Sequence, residues 1–200
     1  MKNDKMQETE VKVIVSDLDA IAARIEAAGG ILASPRVLER NVRYDNASGD
    51  FAESGTVLRM RQDSRARLTY KEGDKLQGKY GSTRFEAEVE VSDYDTMALI
   101  LGLLGYRAAW KYEKYRTTYT LMGAEIVLDE LPLGKFIEIE AQDDEGIGEI
   151  LRVLALEDAP RLTSSYSVLF RIAKERLKFP MNDLTFEAFD GYTVPPGIFA

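Results

Sequence analysis

Polar and apolar positions alternate strictly in the first patterned stretch of the chain, Glu8-Thr9-Glu10-Val11-Lys12-Val13-Ile14-Val15. Successive side chains of an extended strand point to opposite faces, so Glu8, Glu10 and Lys12 share one side. Thr9, Val11, Val13 and Val15 share the other, a β-branched surface suited to packing beneath a helix. The period then lengthens. Ser16-Asp17-Leu18-Asp19 predicts a helix start with Ser16 as N-cap and acidic residues in the first turn. Leu18, Ile21, Ala22, Ile25 and Ala28 make one apolar stripe, which Gly29-Gly30 ends. Short strands over 37–44, 57–62 and 67–71 follow, with a turn through 45–50. Glycines at 73, 78 and 81 predict a mobile loop over 72–83.

The second half begins as the first did. Val89-Glu90-Val91-Ser92-Asp93-Tyr94-Asp95 echoes Val13-Ile14-Val15-Ser16-Asp17-Leu18-Asp19, and Ser92 follows Ser16, as Gly105 follows Gly29, by 76 residues. A strand-helix-strands unit used twice is predicted. The helix over 93–104 is apolar over much of its surface and is expected to be well buried. Strands over 112–121, 125–128 and 136–141 and helices over 145–156 and 166–178 complete the pattern. The expected architecture is α+β: an eight-stranded antiparallel barrel built from two quasi-equivalent halves, with helices packed outside. One domain spans 1–180. The tail 181–200 is expected to be irregular, with Phe186, Phe189 and Phe199 packing it down.

Composition narrows the chemistry. With no cysteine there is no disulfide, thiol nucleophile or zinc-thiolate site, and with no histidine there is no Ser-His-Asp triad and no His-ligated metal. Any metal must be held mainly by oxygen. A net charge of -8 leaves no basic excess to draw nucleic acid or an anionic membrane surface. No apolar signal region or membrane-length run occurs, so a cytoplasmic protein is expected.

The charges that remain are sorted by strand. Glu86, Glu88 and Glu90 repeat at two-residue spacing, as do Glu138 and Glu140, while Arg59 with Arg61 and Lys114 with Arg116 do the same with the opposite sign. A solvated sheet face usually mixes signs, since like charges two apart repel. Opposed acidic and basic walls are therefore expected to line one interior, where a divalent cation and a polyphosphate would neutralise both. Magnesium fits such a site because it accepts a few carboxylates and keeps positions for water and phosphate oxygen, and arginine forks suit phosphate.

Glu8-x-Glu10-x-Lys12, Leu58-Arg59-Met60-Arg61, Thr69-Tyr70-Lys71, Arg84-Phe85-Glu86-Ala87-Glu88, Lys114-Tyr115-Arg116 and Gly134-Lys135-Phe136-Ile137-Glu138-Ile139-Glu140 together resemble the CYTH family of triphosphate tunnel metalloenzymes, from about residue 6 to 170. The resemblance implies that the barrel lumen is a tunnel for triphosphate and that Mg²⁺ or Mn²⁺ is the cofactor. It implies a metal site of Glu8, Glu10, Asp129, Glu138 and Glu140, with Glu86 for a second cation. Lys12, Arg59, Arg61, Lys71, Lys114 and Arg116 match the phosphate contacts. Lys12, Lys71, Tyr44 and Glu88 match catalytic positions, Tyr44 through a tyrosine that some family triphosphatases place near the equivalent of Lys71. One further base is implied on the last helix, Arg171 or Lys174. The implied partner is a small-molecule triphosphate, with no nucleic acid or membrane, on a monomer or homodimer. Hydrolysis of that triphosphate is the favoured activity; class IV-type cyclisation of ATP and polyphosphate binding without turnover are the alternatives.

Overall fold

A computed structural model describes residues 7–73, 76–162, 164–195 and 197–199, with side chains for all of these but 7, 8 and 77. Ten strands are present in chain order: β1 Gln7–Val15, β2 Ile31–Asp45, β3 Val57–Gln62, β4 Ala66–Lys71, β5 Leu76–Gln77, β6 Ser82–Val91, β7 Arg107–Leu121, β8 Ala124–Leu131, β9 Gly134–Ala141 and β10 Arg161–Leu162. Five helices accompany them among the described residues: α1 Leu18–Ala27, α2 Asp50–Ser54, α3 Tyr94–Leu103, α4 Asp144–Val153 and α5 Tyr166–Leu177.

Eight strands close into an antiparallel ring in the order β1-β9-β8-β7-β2-β3-β4-β6, and the β1–β6 pairing completes it. The short β5 and β10 attach to β6 and β1. The predicted duplication is visible in this order. Each half is a first strand, a helix and a three-stranded meander, and the halves meet where β1 pairs with β6 and β9, β2 with β7 and β4 with β6. Asp17 and Asp93 cap α1 and α3 alike, accepting from the Ala20 amide at 3.0 Å and the Thr96 amide at 2.7 Å. Gly29 and Gly105 follow those helices at φ +87° and +91°, a left-handed turn that favours glycine. The N-cap is thus Asp17, one residue after the expected Ser16, because the Asp17 side chain reaches the free amide.

Alternation decides what faces in. The outer residues Val11, Val13, Ile126, Leu128, Ile137 and Ile139 form the main core with α1 and α4. A second outer cluster, Tyr44, Leu58 and Met60, packs against Leu101 of α3. The third lies around α5: its buried residues Tyr166, Leu169, Phe170 and Ala173 meet Ile14, Phe136 and Tyr112. Ile14 and Phe136 share the faces of Lys12 and Glu138, so α5 seals one end of the ring with an apolar plug. The tail packs on this plug through Phe179, Leu184, Phe189 and Phe199, and Leu184 pairs with Tyr112.

Two expectations change. α3 buries only Leu101 and leaves Leu99, Ile100, Leu103 and Leu104 exposed, because one helix on a curved sheet covers it with a single stripe. Residues 72–83 are tied down at their C-terminal end. The amides of Lys79, Tyr80 and Gly81 donate to the Asp144 carboxylate at 2.8, 2.7 and 2.7 Å, and β6 already begins at Ser82.

Candidate active site in the ring lumen

Every second residue of the ring strands points into one lumen. Glu10, Lys12, Arg59, Arg61, Lys71, Lys114, Arg116, Glu138 and Glu140 line it together, including both Arg61 and Glu138, on which an enclosed two-sign interior depends. Glu86 and Glu88 share the inner face through their register with Lys71 and Thr69. The Glu8 side chain lies outside the described residues; its backbone pairs with Arg84.

Acidic side chains gather on the neighbouring strands β8, β9, β1 and β6 and basic ones on β7, β2, β3 and β4, with Lys12 and Arg84 on the acidic side and Glu39 on the basic side carrying the opposite sign. Lys12 of β1 meets Glu138 of β9 at 2.6 Å, Lys71 of β4 meets Glu86 of β6, and Arg61 of β3 meets Glu39 of β2 at 3.2 Å. Antiparallel neighbours place opposite residues side by side, so these exceptions, and the seams where β4 meets β6 and β7 meets β8, form ion pairs across strands. Asp129 is the most saturated member. It accepts from Lys114 at 2.8 Å, from two Arg116 nitrogens at 2.7 Å each and from the Tyr166 hydroxyl at 2.9 Å, and it is fully buried. Here Asp129 holds the basic side chains in place. Arg59 donates to the Tyr112 hydroxyl at 3.0 Å and to Thr69 at 3.2 Å, and Thr69 donates to Glu88 at 2.7 Å.

Burial makes these charges interdependent. It opposes ionisation of Glu138, but Lys12, Lys114 and Arg116 outweigh it and hold the carboxyl well below the usual range. Burial likewise disfavours the Lys12 cation, and Glu138 and Glu10 more than restore it. Glu10 is held below its ordinary value because Lys12, Lys71 and Arg84 overcome burial and Glu138. Glu140 differs. Burial first, then the Glu138 and Glu10 charges, push it up to about 7 against the pull of Lys71. Glu10 and Glu140 stand directly opposite each other on β1 and β9, and Lys12 stands opposite Glu138. Like charges in that register repel, and a hard cation bound between oxygens would relieve them. Among the described residues no three acidic side chains already converge on one point.

Three candidates lie elsewhere. Tyr44 turns outward into the cluster under α3, because its neighbour Arg43 takes the inward position on β2. It does not reach the lumen. Lys174 donates to Asn182 at 2.7 Å, and Arg171 lines a neighbouring cleft; the part of α5 and its cap that does enter the lumen is Ser165, Tyr166 and Ser167. Sequence reasoning passed over Glu39, Asn41 and Arg43, which alternate with Leu38, Arg40 and Val42 and so carried the same period-two signal as β1. It also passed over Tyr112, Arg84 and Tyr166. The Tyr112 phenol is held below its usual value because Arg59, Arg61 and Lys114 outweigh burial.

A family model described as CYTH domain matches residues 6–152. No curated protein matches the chain. Among solved structures, a Vibrio parahaemolyticus protein proposed as an adenylate cyclase superimposes with TM-score 0.72 at 19% identity, over 82% of this chain and 97% of the other. The PH1819 protein of Pyrococcus horikoshii gives TM-score 0.67 at 29% identity, over 82% and 98% of the two chains. HpAC1 of Hippeastrum, proposed as an adenylyl cyclase and described with a dominant triphosphatase activity, gives 0.60 at 20% identity, over 82% and 95%.

Proposed function

Because the chain belongs to the CYTH family, we propose that its lumen binds a triphosphate and hydrolyses it with a divalent metal, Mg²⁺ or Mn²⁺. The observation that carries this reading is the convergence of eight basic side chains and three carboxylates on one lumen. Phosphoryl transfer asks for positioning and charge neutralisation more than for a strong base, so a chain without histidine can perform it.

Glu10, Glu138 and Glu140, with Glu8 two residues before Glu10, would hold the metal, and the raised Glu140 supports a fit with a hard cation. When bound, the metal supplies charge neutralisation on phosphate oxygens. The remaining work falls to the chain. Arg59, Arg61 and Arg116 bind phosphate oxygens as planar forks, and Lys12, Lys71 and Lys114 add point charge. The lumen holds only about 90 Å³ of free space, room for a handful of waters. A triphosphate therefore enters by exchange, taking Lys12 from Glu138 and Lys71 from Glu86. Glu88, held by Thr69 and near Arg59, orients the attacking water at the terminal phosphorus, and the bases stabilise the departing pyrophosphate. Asp129 and Tyr166 keep Lys114 and Arg116 aimed inward.

The test is product identification after incubation with Mg²⁺ or Mn²⁺ and either tripolyphosphate or ATP. Release of phosphate is expected. Cyclic AMP with pyrophosphate would replace this reading with cyclisation, and binding without turnover would reduce the protein to a polyphosphate-binding module.

A further inference from the structure

The two halves of the ring are roofed unequally. Over β1, β8 and β9 lie two helices, with Leu18, Ile21 and Ile25 of α1 and Ile147, Ile150 and Leu151 of α4 buried in one continuous core. The corresponding face of the other half, over β3, β4 and β6, has only α3 and the short α2 among the described residues, and α2 reaches it through Phe51. β9 leads into α4, whereas its counterpart β4 leads into the two-residue β5. The sheet left without a second helix is apolar all the same. Val89 stands opposite Leu68 and Tyr70 opposite Ala87 on the outer faces of β6 and β4, and both Val89 and Tyr70 are exposed.

α3 carries the second observation. Met97, Ala98 and Leu101 face the sheet, while Leu99, Ile100 and Leu103 face away from it, with Leu104 at the helix end. Leu103, Leu104 and Leu99 are 79%, 68% and 62% exposed. No charged residue occurs from Thr96 to Tyr106. A helix apolar on both sides belongs inside a core, and a contiguous patch of water-facing leucines marks an interaction surface. Gly102 lies three residues after Leu99, on the same side. Its missing side chain leaves open space, a notch into which a leucine of a facing helix fits.

We infer that the outer face of α3 is a homodimer interface, in which two copies of the chain pack α3 against α3, antiparallel across a twofold axis. Each copy then brings the other the uncharged helix that its own half lacks. Charge selects this occupant. A helix lying in a membrane surface needs lysine or arginine along its polar flank, whereas α3 opens on Asp93 and Asp95 in a chain of net charge -8. The twofold arrangement suits the same charges. It sets the acidic first turn of one helix beside the last turn of the other, where Arg107 of the partner subunit follows, and opposes the two helix dipoles favourably. One helix stripe is small beside the roughly 1,000 Å² or more that each partner buries in an obligate dimer, so a dimer in micromolar equilibrium with its monomer is expected. The inference is independent of the chemistry assigned to the lumen.

Sedimentation equilibrium of the full chain, from low to high micromolar concentration, tests this. The wild type is expected to pass from the mass of one chain to that of two. Leu103→Glu, at the most exposed position of the face, is expected to keep the wild-type circular dichroism and to raise the dissociation constant at least about tenfold. Leu99→Lys is measured beside it, so that a folding defect in one variant leaves the other to decide. Ile31→Glu, at a comparably exposed apolar position at the start of β2, is expected to leave the constant within about twofold of wild type. Flotation with phosphatidylcholine and phosphatidylglycerol vesicles is run on the same proteins, and no binding is expected. A wild type that stays monomeric at high micromolar concentration overturns the inference, as does a dimer that folded Leu103→Glu or Leu99→Lys leaves intact, or one that Ile31→Glu weakens equally. Vesicle binding that is lost in Leu103→Glu would assign the face to a membrane and overturn it too.

Discussion

Replacing Glu39 with glutamine perturbs the lumen at a point that carries no proposed metal. Glu39 is almost fully buried and faces Arg61 at 3.2 Å, Lys114 at 3.6 Å and Arg116 at 3.9 Å. Coulomb attraction at the Arg61 distance of 3.2 Å is about 5 kcal/mol with an effective dielectric of roughly 20, and desolvation of both groups offsets much of it. Removing one partner of a buried pair costs about 3–5 kcal/mol because the other charge stays buried. Glutamine keeps an oxygen for Arg61, so the lower end, about 3 kcal/mol, is expected from urea denaturation at pH 7. Burial alone would raise the Glu39 pKa, but Lys114, Arg116 and Arg61 lower it far below its ordinary 4.5. A carboxyl whose folded value is depressed adds stability above its unfolded value and loses it as pH falls towards the folded one. The wild-type advantage should therefore be complete above about pH 5 and shrink steadily below 4.5. At the same time the freed bases should bind tripolyphosphate more tightly. A cost under 1 kcal/mol, or a difference that stays flat from pH 7 to pH 3, would refute the electrostatic account of the lumen.

Glu10→Gln keeps the shape of a proposed metal ligand and removes its charge, and at least a tenfold loss of turnover, about 1.4 kcal/mol, is expected; an unchanged rate removes Glu10 from the site. Arg59→Ala should raise KM for tripolyphosphate several-fold, and saturation kinetics identical to wild type would count against its phosphate role. Asp144→Ala takes the acceptor from three amides of residues 79–81, so trypsin should cut after Lys79 faster than in wild type, with little change elsewhere. Equal digestion rates would mean that the strap is held by other contacts.

Much of the ring was legible because period two is a local property. Val11, Val13, Ile137 and Ile139 declare an outer face, and Glu10, Lys12, Glu138 and Glu140 declare an inner one, without knowledge of which strands pair. The 76-residue offset was legible for the same reason: both caps and both glycines are set by their own turns. Pairing order is not local. Whether Glu138 neighbours Lys12 or another acid depends on β9 lying beside β1, a contact between residues far apart in the chain. Where the acidic and basic strands meet, at β4 with β6 and at β7 with β8, depends on the same order. Tyr44 failed for a local reason, since a tyrosine suits either face of a strand and only the inward position of Arg43 decides. Tyr166 carried no signal at all, because it enters the lumen from a helix that lies across its end.

The ion pairs inside the lumen change what the site needs from its ligand. Wholly unpaired walls would repel themselves in the empty protein. Lys12, Lys71, Arg61 and Arg116 are instead in contact with Glu138, Glu86, Glu39 and Asp129, so part of the cost moves to binding. Each phosphate oxygen must then better a carboxylate already in contact, as Glu138 is with Lys12. A monoanion cannot do so at several bases at once, whereas a chain of linked phosphates releases several carboxylates in one event. Of those carboxylates, Glu138 on β9 is one that a divalent cation would collect together with Glu10 and Glu140. Triphosphate and metal should therefore bind cooperatively, and a lumen of self-paired charges should discriminate strongly against orthophosphate.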